Sequence, residues 1–344
     1  MVRVRMLEVG VCGTDAELCA FEYGDPPAGV DYLIVGHEAL GVVEEAGRDV
    51  EHLRKGDLVV PSVRRPCQSE DCAACMSANQ DFCVTGEYTE RGIKGAHGFL
   101  AEEIVEEERY LHIVPGELRE VGVLTEPLTI AEKGLRQYAA IQRRLPWMAN
   151  ADDEAFMHGR RAVVLGAGPV GLLGAMVFIE RGFDTWVFSR GDVGTPNAQL
   201  AESIGATYVS SAEIDFAQLT ERIGRIDLVY EATGAPRLAF DVMRHLVANA
   251  VCILTGVPGD MDALRIEGDE IMKRIVLQNQ VVVGTVNANR RDFGHAIRDL
   301  GRFDSARPAE LRGIITHRGS MEQFCEQATR KHGIKSVISL PAAR

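Results

Sequence analysis

The chain has 344 residues, 46% hydrophobic and 25% charged, which is long enough for about two domains and unlike a disordered or fibrous composition. Its net charge of −13 excludes the basic footprint that non-specific nucleic-acid binding requires. The opening "MVRVRMLEVGV" alternates basic and apolar residues as a strand does and lacks the apolar stretch and small-residue site of a signal peptide, so a cytoplasmic protein is expected. In that reducing compartment the eight cysteines read as metal ligands, catalytic groups or core thiols rather than disulfides.

Up to about Val114 the pattern is one of short strands and glycine-rich turns, as in "GHEALGVVEEAG" and "KGDLVVPSV". Within it, "EVGVCGTDAEL" places Cys12 between glycines. On its own such a cysteine reads as a small buried hydrophobe. "CQSEDCAACMSANQDFC" then gathers Cys67, Cys72, Cys75 and Cys83, the ligand set of a closed, tetrahedral structural zinc. Its first gap is wider than usual, with Glu70 and Asp71 inserted, so Cys67 is the ligand whose place the spacing defines least.

After Pro127, "LTIAEKGLRQYAAI" has helical spacing, and "LPWMANADDEAFMHG" reads as a polar connecting loop. From Arg160 strands and helices alternate. The strands are "RAVVLG", "DTWVFSR", "TYVSS", "IDLVYEATG", "AVCILTGV" and "QVVVGTVN"; the helices are "VGLLGAMVFIERG", "AQLAESIGA", "PRLAFDVMRHLV" and "DEIMKRIVLQN". Six strands at this spacing predict a doubly wound, six-stranded parallel Rossmann domain. Ala162–Ile179 imitates a membrane span in length and apolarity, but its four glycines and one proline argue against it. The tail from Asn289 carries two helical patterns and a last strand, "KSVISL".

"GAGPVG" supplies Gly166, Ala167, Gly168, Pro169, Val170 and Gly171, with glycines in the G-x-G-x-x-G spacing. It follows a predicted strand and opens a predicted helix, the context in which the spacing means a dinucleotide. The alternative is a tight turn with no ligand. The second strand should end in an acid that binds the ribose, about 20 residues on. Ser189 and Arg190 stand there instead, a cation and a hydroxyl suited to the 2′-phosphate of NADP, with Asp192 close enough to leave NAD open.

"VGHEALG" adds His37 and Glu38, and "LTEPL" adds Glu126. A catalytic zinc takes three protein ligands and keeps one open position, and mixed cysteine, histidine and carboxylate sets serve it. Each residue alone has an ordinary structural reading; with a nucleotide fold and a zinc quartet in one chain, together they predict a catalytic metal.

"GVCGTD", "GHEALGVVEEAG", the cysteine quartet and "GAGPVG", in this order, resemble the medium-chain zinc-dependent alcohol dehydrogenase family. "VVPSVRRPC", "TERGIKGAHGF", "LTEPLTIAEK" and "VGTVNANRRDF" resemble its glucose 1-dehydrogenase branch. The resemblance spans nearly the whole chain. It implies an α/β protein with a GroES-like β catalytic domain over 1–135, carrying the structural-zinc lobe at 67–83. A Rossmann domain would follow over 136–289, and 290–344 would return to the catalytic domain. A homodimer or homotetramer is implied, with zinc at both metal sites and NADP or NAD as cofactor.

The resemblance makes Cys12 and His37 zinc ligands, and Glu38 and Glu126 the carboxylates that ligate or flank the metal. Thr14 would touch the substrate alcohol and relay its proton, and Asp15 would hold a ligand imidazole in one tautomer. Glu90 and Asn287 match sugar-contacting positions, with Glu126 also at the substrate, while Thr233, Gly256, Val257, Val286 and Asn287 follow strand ends where the cofactor crosses the sheet edge. Members carry further β structure before the "EVGVCGTD" strand, whereas Met1 falls almost inside it here, so a late-assigned start or a trimmed domain is expected.

The implied reaction is oxidation of an aldose at C1, glucose to gluconolactone. The alternatives are another alcohol (galactose, sorbitol or threonine) or a non-catalytic dinucleotide-binding protein on the same fold. His97, in "GAHGF", reads as a turn or gating residue. His112, His245 and His295 have no motif context, and Cys19, Cys252 and Cys325 read as core or near-surface thiols.

Overall fold

The computed structural model describes residues 1–150, 157–259, 263–330 and 333–341. They form two compact units, Met1–Thr129 with Asn287–Arg344, and Ile130–Val286.

The first unit is built on a seven-stranded sheet around Val2–Val11. That strand alternates buried and half-buried residues over Val2–Leu7, as its sequence pattern predicts, and is buried throughout over Glu8–Val11; Val4, Met6, Val9 and Val11 pack with Leu53, Phe99, Phe324 and Ile338. It pairs antiparallel with Glu38–Ala46 on one side. On the other it takes Glu103–Glu106 along its first half and Lys335–Ser339 along its second. Lys335–Ser339 in turn pairs parallel with Ile315–Gly319, so the end of the chain completes the sheet that its beginning opens. A small separate sheet joins Arg64–Arg65, Thr89–Arg91 and Gly95–Ala96.

The second unit is a six-stranded, all-parallel sheet. In spatial order its strands are Thr207–Ser210, Asp184–Ser189, Arg161–Leu165, Leu228–Glu231, Val251–Leu254 and Val281–Gly284. The order 3-2-1-4-5-6 reverses between Arg161–Leu165 and Leu228–Glu231, and ligands of such sheets sit outside the strand ends at that point. The helix Pro169–Glu180 is apolar all round and buried along most of its length, which accounts for the stretch that imitates a membrane span. Among the described residues no helix is long and apolar enough to cross a membrane.

Two sequence readings need correction. A helix at Phe216–Ile223 lies between the third and fourth strands, where the sequence pattern predicts strand following strand. Its signal is local: Asp215 caps it by accepting the Gln218 N–H at 2.8 Å, and Gln218 reaches back to the Asp215 N–H at 2.9 Å. The stretch that reads as a polar connecting loop buries Leu145, Met148 and Met157; its residues 151–156 lie outside the described ones.

Candidate active site

The strand Val2–Val11 delivers its last residue to Cys12, which caps the short helix Gly13–Cys19. Asp15, fully buried, accepts the Cys12 N–H at 2.8 Å and lies 3.5 Å from His37 Nδ1. His37 Nε2 is thereby turned to the Cys12 thiol, 3.0 Å away. Glu38 opens the neighbouring strand opposite Gly10, and a Cβ at position 10 would run into the Glu38 carboxylate. Glu126 enters from the first turn of the helix Thr125–Gln142.

Two trios result, Cys12–Asp15–His37 and His37–Glu38–Glu126, each with its ligand atoms within 4.8 Å of one another and with His37 common to both. Thr14 is half-buried in the first turn of the Gly13–Cys19 helix, two residues from the Cys12 thiol.

The electrostatics are those of a site short of positive charge. Burial pushes the Cys12 thiol above its ordinary range, and burial with the Glu38 charge beside it lifts Glu126 to about 7. Burial opposes charge on His37, yet Cys12 and Asp15 outweigh it and hold the imidazole well above its usual value. Among the described residues the ammonium at this site is that of Lys335, 1% exposed, ion-paired with Glu38 and donating to the Val11 carbonyl at 2.8 Å. A thiol and three carboxyl groups thus face one lysine and one imidazole in a buried space. A divalent cation on sulfur, imidazole and carboxylate ligands fits that donor set.

Glu90 and Asn287 meet in the same unit. The Asn287 amide donates to Glu90 Oε1 at 2.8 Å, and the same oxygen accepts Arg64 Nη2 at 2.9 Å and Arg64 Nε at 3.1 Å. All three residues are buried, and the Arg64 guanidinium also lies over the Tyr88 ring, 3.7 Å from its centroid. This network holds a carboxylate and an amide in fixed positions, as recognition of a polyhydroxylated molecule needs.

In the second unit the glycine turn has the form that its spacing predicts. Gly166 has φ of 102°, a Cβ on Gly171 would strike the Gly166 carbonyl, and the space around Gly168 is open for 4 Å. Pro169 and Val170 start the helix, and the Ala167 carbonyl accepts the Asn197 amide at 2.6 Å. Ser189 ends the second strand, and Arg190 and Asp192 are exposed just beyond it. Thr233, Gly256, Val257 and Val286 follow the ends of the fourth, fifth and sixth strands, with Val257 and Val286 exposed. The Val286 carbonyl accepts the buried Lys133 ammonium at 2.8 Å.

Cys67, Cys72, Cys75 and Cys83 come together with all four sulfurs within 4.8 Å. The wide first gap is absorbed by Glu70 and Asp71, both exposed, so Cys67 reaches the cluster with the rest. Burial pushes the Cys75 thiol up to about 12, while at Cys83 the donors from Thr85 and Gly86 outweigh burial and draw it down to about 6. Four sulfurs gathered this closely match the ligand set of a closed metal site.

His97 stays in its turn, accepting the Ile34 N–H at 3.2 Å and stacking on Tyr32. His112 is buried against Phe293 and hydrogen-bonded to Ser62 at 2.8 Å. Sequence reading missed Lys335, Arg64 and Lys133. Arg64 lies inside the motif "VVPSVRRPC", but nothing local marks Lys335 or Lys133 as buried cations.

Residues 1–116 match the family described as the alcohol dehydrogenase GroES-like domain, and residues 119–340 match the family described as the glucose dehydrogenase C-terminus. The glucose 1-dehydrogenase of Methanocella arvoryzae is 41% identical over 342 residues, covering 99% of this chain and 92% of that protein. A glucose 1-dehydrogenase of Caldivirga maquilingensis is 38% identical over 341 residues, covering 98% and 91%. Among solved structures, the Haloferax mediterranei glucose dehydrogenase in complex with NADP, zinc and gluconolactone superposes with a TM-score of 0.87 at 34% identity, covering 99% of this chain and 92% of that one.

Proposed function

The chain belongs to the medium-chain zinc-dependent alcohol dehydrogenase family, in its glucose 1-dehydrogenase branch, and on that footing we propose that it oxidises glucose at C1 to gluconolactone and passes the hydride to NADP or NAD. The observation that carries this reading is the meeting of Cys12, His37 and buried carboxylates at one point of the first unit. When bound, zinc supplies Lewis acidity at the C1 oxygen and the dinucleotide supplies the hydride acceptor.

Cys12, His37 and a carboxylate from Glu126 or Glu38 would hold the metal. Asp15 keeps the His37 ring oriented from its Nδ1 side, 3.5 Å away. Lys335 keeps Glu38 paired within the protein. The Thr14 hydroxyl takes the proton that leaves the C1 alcohol and passes it on towards solvent. Glu90 and Asn287 hydrogen-bond the sugar hydroxyls, and Arg64 fixes the Glu90 carboxylate for that task. Loss of one hydride and one proton balances the oxidation, and no side chain acts as a nucleophile.

The exposed Arg190 beside Ser189 favours NADP over NAD, since a guanidinium pairs with a 2′-phosphate. Among the described residues the parallel sheet ends at the edge strand Val281–Gly284, and the helix Gly268–Leu277 exposes Met272, Val276 and Leu277 nearby in sequence. These features support a dimer or tetramer. Thiols for two metal sites support a reducing, cytoplasmic setting.

The test is a steady-state rate matrix of glucose, galactose, sorbitol and threonine against NADP and NAD, with zinc content measured before and after chelation. Glucose with NADP should give the highest kcat/KM, and the rate should vanish as the zinc leaves. Turnover of glucose by zinc-free protein, or a preference for a non-sugar alcohol, would overturn the reading.

A further inference from the structure

Glu231, the last residue of the strand Leu228–Glu231, is 2% exposed and has no cationic partner among the described residues. Its carboxylate is instead ringed by donors from two loops. Oε1 accepts the Thr233 N–H at 2.6 Å, the Thr233 hydroxyl at 2.5 Å and the Gly234 N–H at 2.9 Å, and Oε2 accepts the Gly256 N–H at 3.3 Å.

The two loops are also locked by shape. A Cβ on Gly256 would strike the Gly234 backbone and meet Glu231 Oε2 at 2.8 Å, and a Cβ on Gly234, where φ is 65°, would meet the Val257 carbonyl at 2.6 Å. Thr233 reaches the glycine turn as well: a Cβ on Gly166 would lie 2.8 Å from its methyl group. One buried acid therefore ties together the loops after the fourth and fifth strands, beside the turn after the first.

Strand order places this acid at the start of the second mononucleotide-binding half of the sheet, the half opposite the glycine turn. A ligand spanning both halves lays its nicotinamide end over these loops. Oxidised nicotinamide carries a positive charge that hydride addition removes, so a fixed carboxylate close by stabilises the oxidised form selectively. We propose that Glu231 is a positioning residue that braces the Thr233–Gly234 and Gly256 loops and, through its charge, makes the site prefer the oxidised over the reduced dinucleotide. This rests on the reading that this sheet edge takes NADP.

The test is equilibrium binding of NADP+ and of NADPH, by titration calorimetry, to zinc-loaded wild type, Glu231→Gln and Glu231→Ala. The Gln variant keeps an oxygen for the Thr233 and Gly234 donors and loses the charge together with the weaker acceptor of the Gly256 N–H; NADP+ should bind about tenfold more weakly while NADPH changes less than about threefold. The Ala variant loses the brace too, and both forms should weaken. If that variant does not fold, the Gln variant alone decides the question. Wild-type binding of both forms by Glu231→Gln, or equal weakening of both, would overturn the inference. Failure of the wild type to bind either form would overturn the dinucleotide reading itself.

Discussion

Lys335 closes the buried site on Glu38: its ammonium, 1% exposed, pairs with that carboxylate and donates to the Val11 carbonyl at 2.8 Å. Burial works against the lysine's charge, but the Glu38 carboxylate beside it more than restores it and holds the ammonium above its ordinary range. Removing one partner of such a pair leaves an uncompensated charge, which costs about 3–5 kcal/mol. Lys335→Met should therefore lose stability of that order in metal-free protein, measured by urea unfolding. Added zinc should recover more stability in the variant than in wild type, because Glu38 is then free to ligate. Equal zinc stabilisation in the two proteins would count against Glu38 as a metal-facing carboxylate.

The cysteine cluster gives a prediction that separates its metal from the one at Cys12. Cys75→Ser removes one of four sulfurs that lie within 4.8 Å of each other. Metal content should fall by one zinc per chain, with the site at Cys12 and His37 still loaded. Stability should drop by at least about 3 kcal/mol, which is well below the binding free energy of a structural zinc. Mass spectrometry under native conditions and thermal unfolding read the two effects. Full zinc content in the variant would exclude Cys75 as a ligand.

Arg190 stands exposed beyond the second strand of the parallel sheet, with Ser189 before it. A charge-assisted contact to a phosphate contributes roughly 1.5–3 kcal/mol, at least about a tenfold change in binding. Arg190→Ala should raise the KM for NADP by about tenfold or more and leave that for NAD nearly unchanged. Equal changes for both cofactors would mean that the residue is a solvent-facing turn cation.

His112 provides a pH-dependent stability. It is packed on Phe293 at a ring separation of 4.4 Å, and burial, reinforced by Arg290 and Arg65, holds it down to about 3. The unfolded chain binds a proton near pH 6.5 that the folded chain refuses until about pH 3, so this histidine's stabilisation is present above pH 6.5 and is lost as the pH falls between those values. The slope from this group is about 1.4 kcal/mol per pH unit. In urea unfolding at pH 7.0, 6.0 and 5.0, His112→Asn should show a shallower acid loss than wild type. Parallel curves would place the acid sensitivity elsewhere.

The missed helix Phe216–Ile223 and the missed cations show where sequence reading ends. The helix carried its own signal, the Asp215–Gln218 capping pair, within four consecutive positions. Arg64 was visible as part of a motif, but its role depends on Glu90, a cross-strand partner 26 positions away, and on Asn287, whose contact with Glu90 spans 197 positions. No local pattern encodes those meetings.

Local chemistry was decided in the sequence alone: the alternation that makes Val2–Val11 a half-buried strand, the glycine spacing at 166–171, and four thiols within seventeen positions that could serve one metal. These features act through neighbours along the chain, where backbone geometry already fixes which groups are close. Only the tertiary structure decided which charges are buried together. Lys335 meets Val11 across 324 positions and Glu38 beside it, because the last strand folds back onto the first, and Glu231 gathers donors from two loops because the sheet sets their strands side by side. Desolvation gives those charged groups their strength, and a residue's distance from water is a property of the packed molecule.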